Sequence, residues 1–194
     1  TEDMQKCIDA YSAQSGTSLS YIKITFSRLY ALALERDICY KDYSKFVKLP
    51  KKKKNEIHPF SAEEVKKIKA AAQANVPYAD IILILIYTGF RISELLALTP
   101  DDYIADQALL IGGLKTEAGE NRHVPVLPVI KPYIEALVAK QGKKIVCRDD
   151  GEGYSSSYMR KKYYDCLEEI GVKRLSPHCC RKTCATMMVE SGVS

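Results

Sequence analysis

The 194-residue sequence contains no tryptophan and three histidines, His58, His123 and His178. It offers no cluster of Asp, Glu and His at the spacing that two catalytic metal ions require, which argues against a metal-dependent nuclease. Long apolar runs are missing too. The longest, residues 81–87, is far too short to span a bilayer and is closely flanked by Tyr78, Asp80 and Arg91. It is read as a buried core helix, and no membrane association is expected. There is no secretory h-region or cleavage signal. The seven cysteines (Cys7, Cys39, Cys147, Cys166, Cys179, Cys180 and Cys184) are odd in number and scattered, which speaks against a disulfide framework. A reducing, cytoplasmic setting is therefore expected. Internal repeats are absent, and low complexity is confined to one run of lysines.

What is present begins with charge. Lys and Arg total 29 against 24 Asp and Glu, a net of +5. That balance suits a polyanionic partner but is common among ordinary proteins, so the distribution says more. Lys51, Lys52, Lys53 and Lys54 follow Pro50 without interruption, and Arg160, Lys161 and Lys162 form a second run. Either run also reads as a solvated surface. The length accommodates one domain with a real core plus part of another.

Apolar residues recur at helical spacing through Met4, Cys7, Ile8 and Tyr11, and again through Leu19, Ile22, Phe26, Leu29 and Ala33. This predicts two helices separated by a turn around Gly16. Residues 37–50 are less regular, and the lysine run that follows cannot bury apolar surface. A sharp restart comes at Ser61 and Glu64, which form a capping box, with Phe60 and Val65 placed as a hydrophobic staple across it. A helix over residues 61–74 is predicted, then another over 78–87, a break at Thr88-Gly89, and a helix from Arg91 to Leu98 closed by Pro100. Between 108 and 127 the pattern becomes two short β-type runs joined by KTEAGEN, a hairpin with Lys115 at the tip end of its first strand. Pro125 places the second strand at an edge. Helices return near 130–140 and 155–170, the latter stopped by Gly171. A last helix opens at Ser176-Pro177, a good N-cap and first-turn pair.

Certain residues stand where chemistry is done. Arg91 follows a glycine break at the start of a helix, where free backbone N–H groups favour an anion. Alone it reads better as the partner of Glu94, three residues on along the same helical face. His178 and Arg181 are spaced i, i+3 in the first turn of the last helix, so both project from one face. Alone, that pair is an ordinary solvent-facing one, and Lys115 an ordinary turn residue.

In company they are more. YTGFRISELLALT, GLKTEAGENRHVPVLP and SPHCCRKTCATMM occur in this order after the capped helix. Together they resemble the tyrosine recombinases, or phage integrase family, from about Phe60 to the end of the chain. Residues 1–50 are similar to the closing helices of that family's core-binding domain. The resemblance implies a mainly α fold with a small β-hairpin or sheet (α+β). Residues 1–50 would be a partial helical core-binding domain, 51–57 a basic linker and 58–194 the catalytic domain.

It further implies site-specific recombination or integration, by cleavage and rejoining of double-stranded DNA inside a two-domain clamp, with four protomers in the synaptic complex. Arg91 and Arg181 match the two arginines that hold the scissile phosphate, and bidentate forks suit the oxygens of a pentacovalent phosphorane. His178 matches the histidine that accepts a proton or hydrogen-bonds the phosphate. Lys115 matches the hairpin lysine that resembles a general acid for the departing 5′ oxygen. Lys51, Lys52, Lys53, Lys54 and Lys182 are expected to contact DNA. No cofactor is implied, because a 3′-phosphotyrosyl link stores the bond energy without ATP or metal.

The sequence departs from the family pattern in three places. All thirteen tyrosines, from Tyr11 to Tyr164, precede His178, and no further His or Trp follows Arg181. The expectation is a fragment that ends before the nucleophile and does not cleave DNA alone. Without chemistry, the same cluster would serve a DNA-binding module. Lys182 stands where the family often has histidine, and keeps a donor. Cys179-Cys180 is unusual inside the motif. Zinc held by His178, Cys179, Cys180 and Cys184 is disfavoured, because adjacent helical residues diverge by about 100° around the axis, and small packing cysteines are expected instead.

Overall fold

The structure is a computed structural model and describes residues 1–51, 58–113 and 121–192. Lys115, Lys52, Lys53 and Lys54, and with them most of the expected linker, lie outside the described residues. The chain divides into two compact units, Thr1–Glu56 and Ile57–Ser194.

The first unit is helical. Helix α1 (Glu2–Ala10) and helix α2 (Gly16–Glu35) bury Ile8 and Leu19 against Val47. Gly16 starts α2 rather than forming the turn, because the Ser15 hydroxyl accepts from the Ser18 N–H at 3.1 Å and caps the helix one residue earlier. A short 3-10 turn, Tyr43–Phe46, returns the chain, and Lys48 is tied to Gln5 by a backbone N–H donated to Oε1 at 2.9 Å.

The second unit opens with the capping box: the Glu64 N–H donates to the Ser61 hydroxyl at 3.2 Å and the Ser61 N–H to the Glu64 carboxylate at 2.8 Å. Helix α3 (Ala62–Gln73) follows, then helix α4 (Ala79–Thr88). Residues 81–86 of α4 are all at most 4 % exposed, so this helix is buried on every side. Each such aliphatic side chain contributes about 1.5–3 kcal/mol when fully buried, which makes α4 the centre of the core. It packs against α3 and against the last helix.

The helix expected over 91–98 is only α5 (Ile92–Leu95). The ladder tightens after it: the Ala97 N–H donates to the Glu94 carbonyl and the Leu98 N–H to that of Leu95. The Asp102 carboxylate then takes the Thr99 N–H at 2.7 Å and starts a 3-10 turn at Pro100.

The hairpin is present as β2 (Leu109–Gly112) and β3 (Arg122–Pro125), antiparallel, with Leu110 opposite Val124 and Gly112 opposite Arg122. A two-residue strand that the sequence did not announce, β1 (Tyr103–Ile104), adds to the other side of β2, giving the order β1-β2-β3. Pro125 thus lies on an edge strand. Helix α6 (Lys131–Val138) and helix α7 (Ser156–Glu169) follow. Gly171, at φ +63°, ends α7, with the Val172 N–H returning to the Leu167 carbonyl at 2.9 Å. Helix α8 (Pro177–Glu190) begins after Ser176. Among the described residues, no helix is long and apolar enough to cross a membrane.

Candidate active site

The site grows from the end of α4. The Thr88 hydroxyl donates to the Ile84 carbonyl at 2.7 Å and accepts the Phe90 N–H at 3.3 Å, closing the helix. Gly89 turns the chain at φ +62°. A side chain is strained in that conformation, and a Cβ there would stand 3.2 Å from the Cys184 Sγ. Phe90 plugs into the core at 0 % exposure. The plug leaves Arg91 at the N-cap of α5, half-exposed, facing a cleft.

Arg91 pairs with Glu94, as its spacing allowed, and lines the cleft as well. The Glu94 carboxylate accepts the Arg91 backbone N–H at 2.9 Å and a guanidinium N–H of the same residue. The anion expected at this helix start is therefore partly supplied from within, by a side chain only 3 % exposed. Burial alone would push the Glu94 carboxyl up. The two Arg91 hydrogen bonds, with the charges of Arg91 and Arg122, overcome that and hold it below the ordinary range.

Helix α8 brings the rest. Ser176 and Pro177 set its first turn, and α8 packs along α4 with Cys179, Cys180, Thr183 and Cys184 buried. His178 is exposed on the opposite face, and Arg181 beside it is half-buried. Arg181 donates from Nη1 to the Gly89 carbonyl at 3.0 Å, and the same nitrogen stands 3.9 Å from the Glu94 Oε2. Arg91, His178 and Arg181 thus line one cleft of ≈ 250 Å³, with Arg160 at its wall. A guanidinium carries five N–H donors. Arg91 and Arg181 each spend some on Glu94 or Gly89 and keep others for an oxyanion.

The structure adds two arginines to the site's surroundings. Arg160 belongs to the basic run on α7, and only the phase of that helix, set by the buried Met159 and Tyr163, selects it over its lysine neighbours. Arg122 shares the inward face of β3 with the buried Val124, an alternation visible in the sequence. Of the residues expected to contact DNA, Lys51 and Lys182 are exposed, while the others and Lys115 lie outside the described residues.

Among the described residues that line the cleft there is no cysteine. The Cys180 Sγ lies 3.5 Å from the Tyr163 hydroxyl, and the Cys179 Sγ 3.5 Å from the Ser176 hydroxyl. Burial pushes the Cys180 thiol up to about 12, so it keeps its proton. Among the described residues, no group of three or more His, Cys, Asp or Glu is placed to hold a metal ion.

Residues 58–194 match the phage integrase family. The chain belongs to that family. Among curated proteins it is 29 % identical over 167 residues to the tyrosine recombinase XerA of Thermococcus onnurineus, covering 79 % of this chain and 56 % of that protein. It is 24 % identical over 175 residues to XerD of Oceanobacillus iheyensis, covering 82 % and 58 %. The chain therefore spans little more than half the length of these relatives.

Among solved structures, the Tn1549 transposon integrase in complex with circular intermediate DNA aligns over 100 % of this chain and 73 % of its own, with a TM-score of 0.76 at 18 % identity. A lambda integrase dimer bound to a COC′ core site aligns over 98 % and 57 %, at 0.81 and 16 %. At these identities the likeness is one of fold, a mostly helical protein carrying a small antiparallel sheet.

Proposed function

We propose that this chain is the phosphate-activating part of a site-specific recombinase or integrase, which cleaves and rejoins double-stranded DNA through a 3′-phosphotyrosyl intermediate. The observation that carries this reading is the convergence of Arg91, His178 and Arg181 on one cleft, from helices far apart in the sequence. A phosphodiester lodged there would receive N–H donors from Arg91 and Arg181 on its non-bridging oxygens. Their charge then stabilises the additional negative charge that develops as the nucleophile adds. His178, exposed at the start of α8, takes a proton or donates to the same phosphate. Lys115 protonates the departing 5′ oxygen, since an alkoxide leaves poorly without a proton. Lys182 and the lysines at 51–54 hold the DNA backbone.

The nucleophile would come from outside these 194 residues, because every tyrosine precedes His178. The chain by itself binds duplex DNA and does not cleave it. Relatives captured on DNA, including a lambda integrase tetramer on a Holliday junction, support DNA as the partner and a synaptic tetramer as the working assembly. The family's DNA-acting members support a place inside the cell.

In a chain extended to include a tyrosine nucleophile, Arg91→Ala or Arg181→Ala should abolish the covalent DNA adduct while leaving most duplex binding intact. Adduct at wild-type level in either variant would remove the enzymatic reading and leave a DNA-binding module.

A further inference from the structure

Behind the cleft stands a further guanidinium, outside the residues that the motifs single out. Arg122 opens β3 directly opposite Gly112, and such cross-strand partners share one face of the sheet. A Cβ on Gly112 would lie 3.1 Å from the Phe90 ring, so the bare glycine makes the seat that this ring occupies. The Arg122 guanidinium lies over the same ring, 4.9 Å from its centroid. Arg122 therefore packs on the plug between Gly89, which orients Arg181, and Arg91 itself.

Its Nη2 is buried and, among the described residues, is the buried side-chain nitrogen or oxygen that lacks a hydrogen-bond partner. Burial and the charge of Arg181 press the Arg122 guanidinium below its ordinary range. Glu94 and Cys184 act in the opposite sense, and Arg91 adds to the repulsion. Two guanidiniums thus stand against a single carboxylate with a third close enough to feel its charge, an arrangement that costs folding energy unless a further anion joins it.

We propose that Arg122 is a positioning residue of the phosphate clamp, biasing it toward a doubly negative phosphate without touching it. The inference rests on the clamp reading given above. Arg91, Arg181 and Arg160 already set three positive charges against Glu94 at the cleft. Arg122 adds a further fixed charge behind them, and a pentacovalent phosphorane, which carries two negative charges, gains about twice as much from it as a phosphodiester, which carries one. Charge held in place behind a partly buried site favours the more highly charged species, because the field is fixed before the reaction begins.

The test uses the 194-residue chain and two probes in NMR titrations: inorganic phosphate at a pH where it is a dianion, and dimethyl phosphate, a monoanion. Arg122→Met keeps the stem on Phe90 and loses the charge; Arg122→Lys keeps the charge and loses the fork. Arg122→Met should weaken inorganic phosphate about tenfold and dimethyl phosphate less than about threefold, with Arg122→Lys retaining the wild-type preference for the dianion. Equal weakening of both probes by the methionine variant would reduce Arg122 to packing and overturn the inference, as would no weakening at all. Should the methionine variant fail to fold, loss of the dianion preference in the lysine variant overturns it alone. Arg181→Ala is the separate control. Undiminished phosphate binding there removes the clamp reading itself, and Arg122's role with it.

Discussion

Arg181 donates a hydrogen bond to the carbonyl of Gly89 at 3.0 Å, across 92 positions of sequence. The left-handed turn that ends α4 therefore also aims a guanidinium on α8. Backbone and side chain are coupled a second time at the same place, since the Cys184 Sγ packs where a Gly89 Cβ would stand.

Gly89→Ala is expected to destabilise the protein by about 1–3 kcal/mol, the cost of holding a non-glycine residue in the left-handed region, plus the contact with Cys184. Urea unfolding measures the sum. Repeating the substitution in a Cys184→Ala background separates the parts: the penalty should shrink by about 0.5–1 kcal/mol if the contact contributes. An unchanged penalty would assign all of it to backbone strain.

Glu94→Gln removes the charge set against Arg91 and Arg181 and keeps the shape. At neutral pH it should cost about 1.5–3 kcal/mol, typical of hydrogen bonds to a charged group. The folded carboxyl sits below its ordinary value of 4.5. Its contribution is therefore complete above the unfolded pKa and is lost as pH falls through the folded one. The stability gap between wild type and variant should accordingly close in acid. Unfolding curves at neutral and acidic pH decide it, and a gap that stays constant would mean that Glu94 acts by packing alone.

Much of this arrangement was legible in the sequence, where local rules govern. The Ser61 capping box, the Thr88-Gly89 break, the Gly171 stop and the Ser176-Pro177 start each depend on residues within one turn, and each appears as expected. Motif order named Arg91, His178 and Arg181 together, and the structure brings all three to one cleft. What escaped is tertiary. Strand β1 has two residues and no periodicity to announce it, and it exists because β2 offers an edge. Helix α5 is short because the ladder tightens at Ala97 and Leu98, whose N–H groups donate three residues back rather than four. Arg160 and Arg122 enter the site through helix phase and strand alternation, signals present in the sequence but too weak to choose one arginine among several cations.

Thr183 ties the start of the second unit to α8. Its hydroxyl accepts the Phe60 N–H at 2.8 Å and donates to the Cys179 carbonyl at 2.8 Å. Thr183→Val leaves the buried Phe60 N–H unpaired and should cost about 1–3 kcal/mol, whereas Thr183→Ser keeps the hydroxyl and should lose less. The two thermal midpoints test this. A serine variant as unstable as the valine one would point to the methyl group's packing instead.

The lysines at 51–54 carry a prediction of a different kind, because phosphate contacts add affinity without reading bases. Each Lys that neutralises a DNA phosphate steepens the dependence of log affinity on log salt by about 0.9. Replacing Lys51, Lys52, Lys53 and Lys54 with Gln should therefore weaken binding to all duplexes alike and flatten that slope by up to about 3.6. Replacing Arg181 should remove only the single phosphate contact proposed for the cleft, so its slope should change by about 1. Fluorescence anisotropy on two unrelated duplexes over a salt series distinguishes the cases. An unchanged slope after the fourfold replacement would return these lysines to the solvated surface that their composition equally suggests.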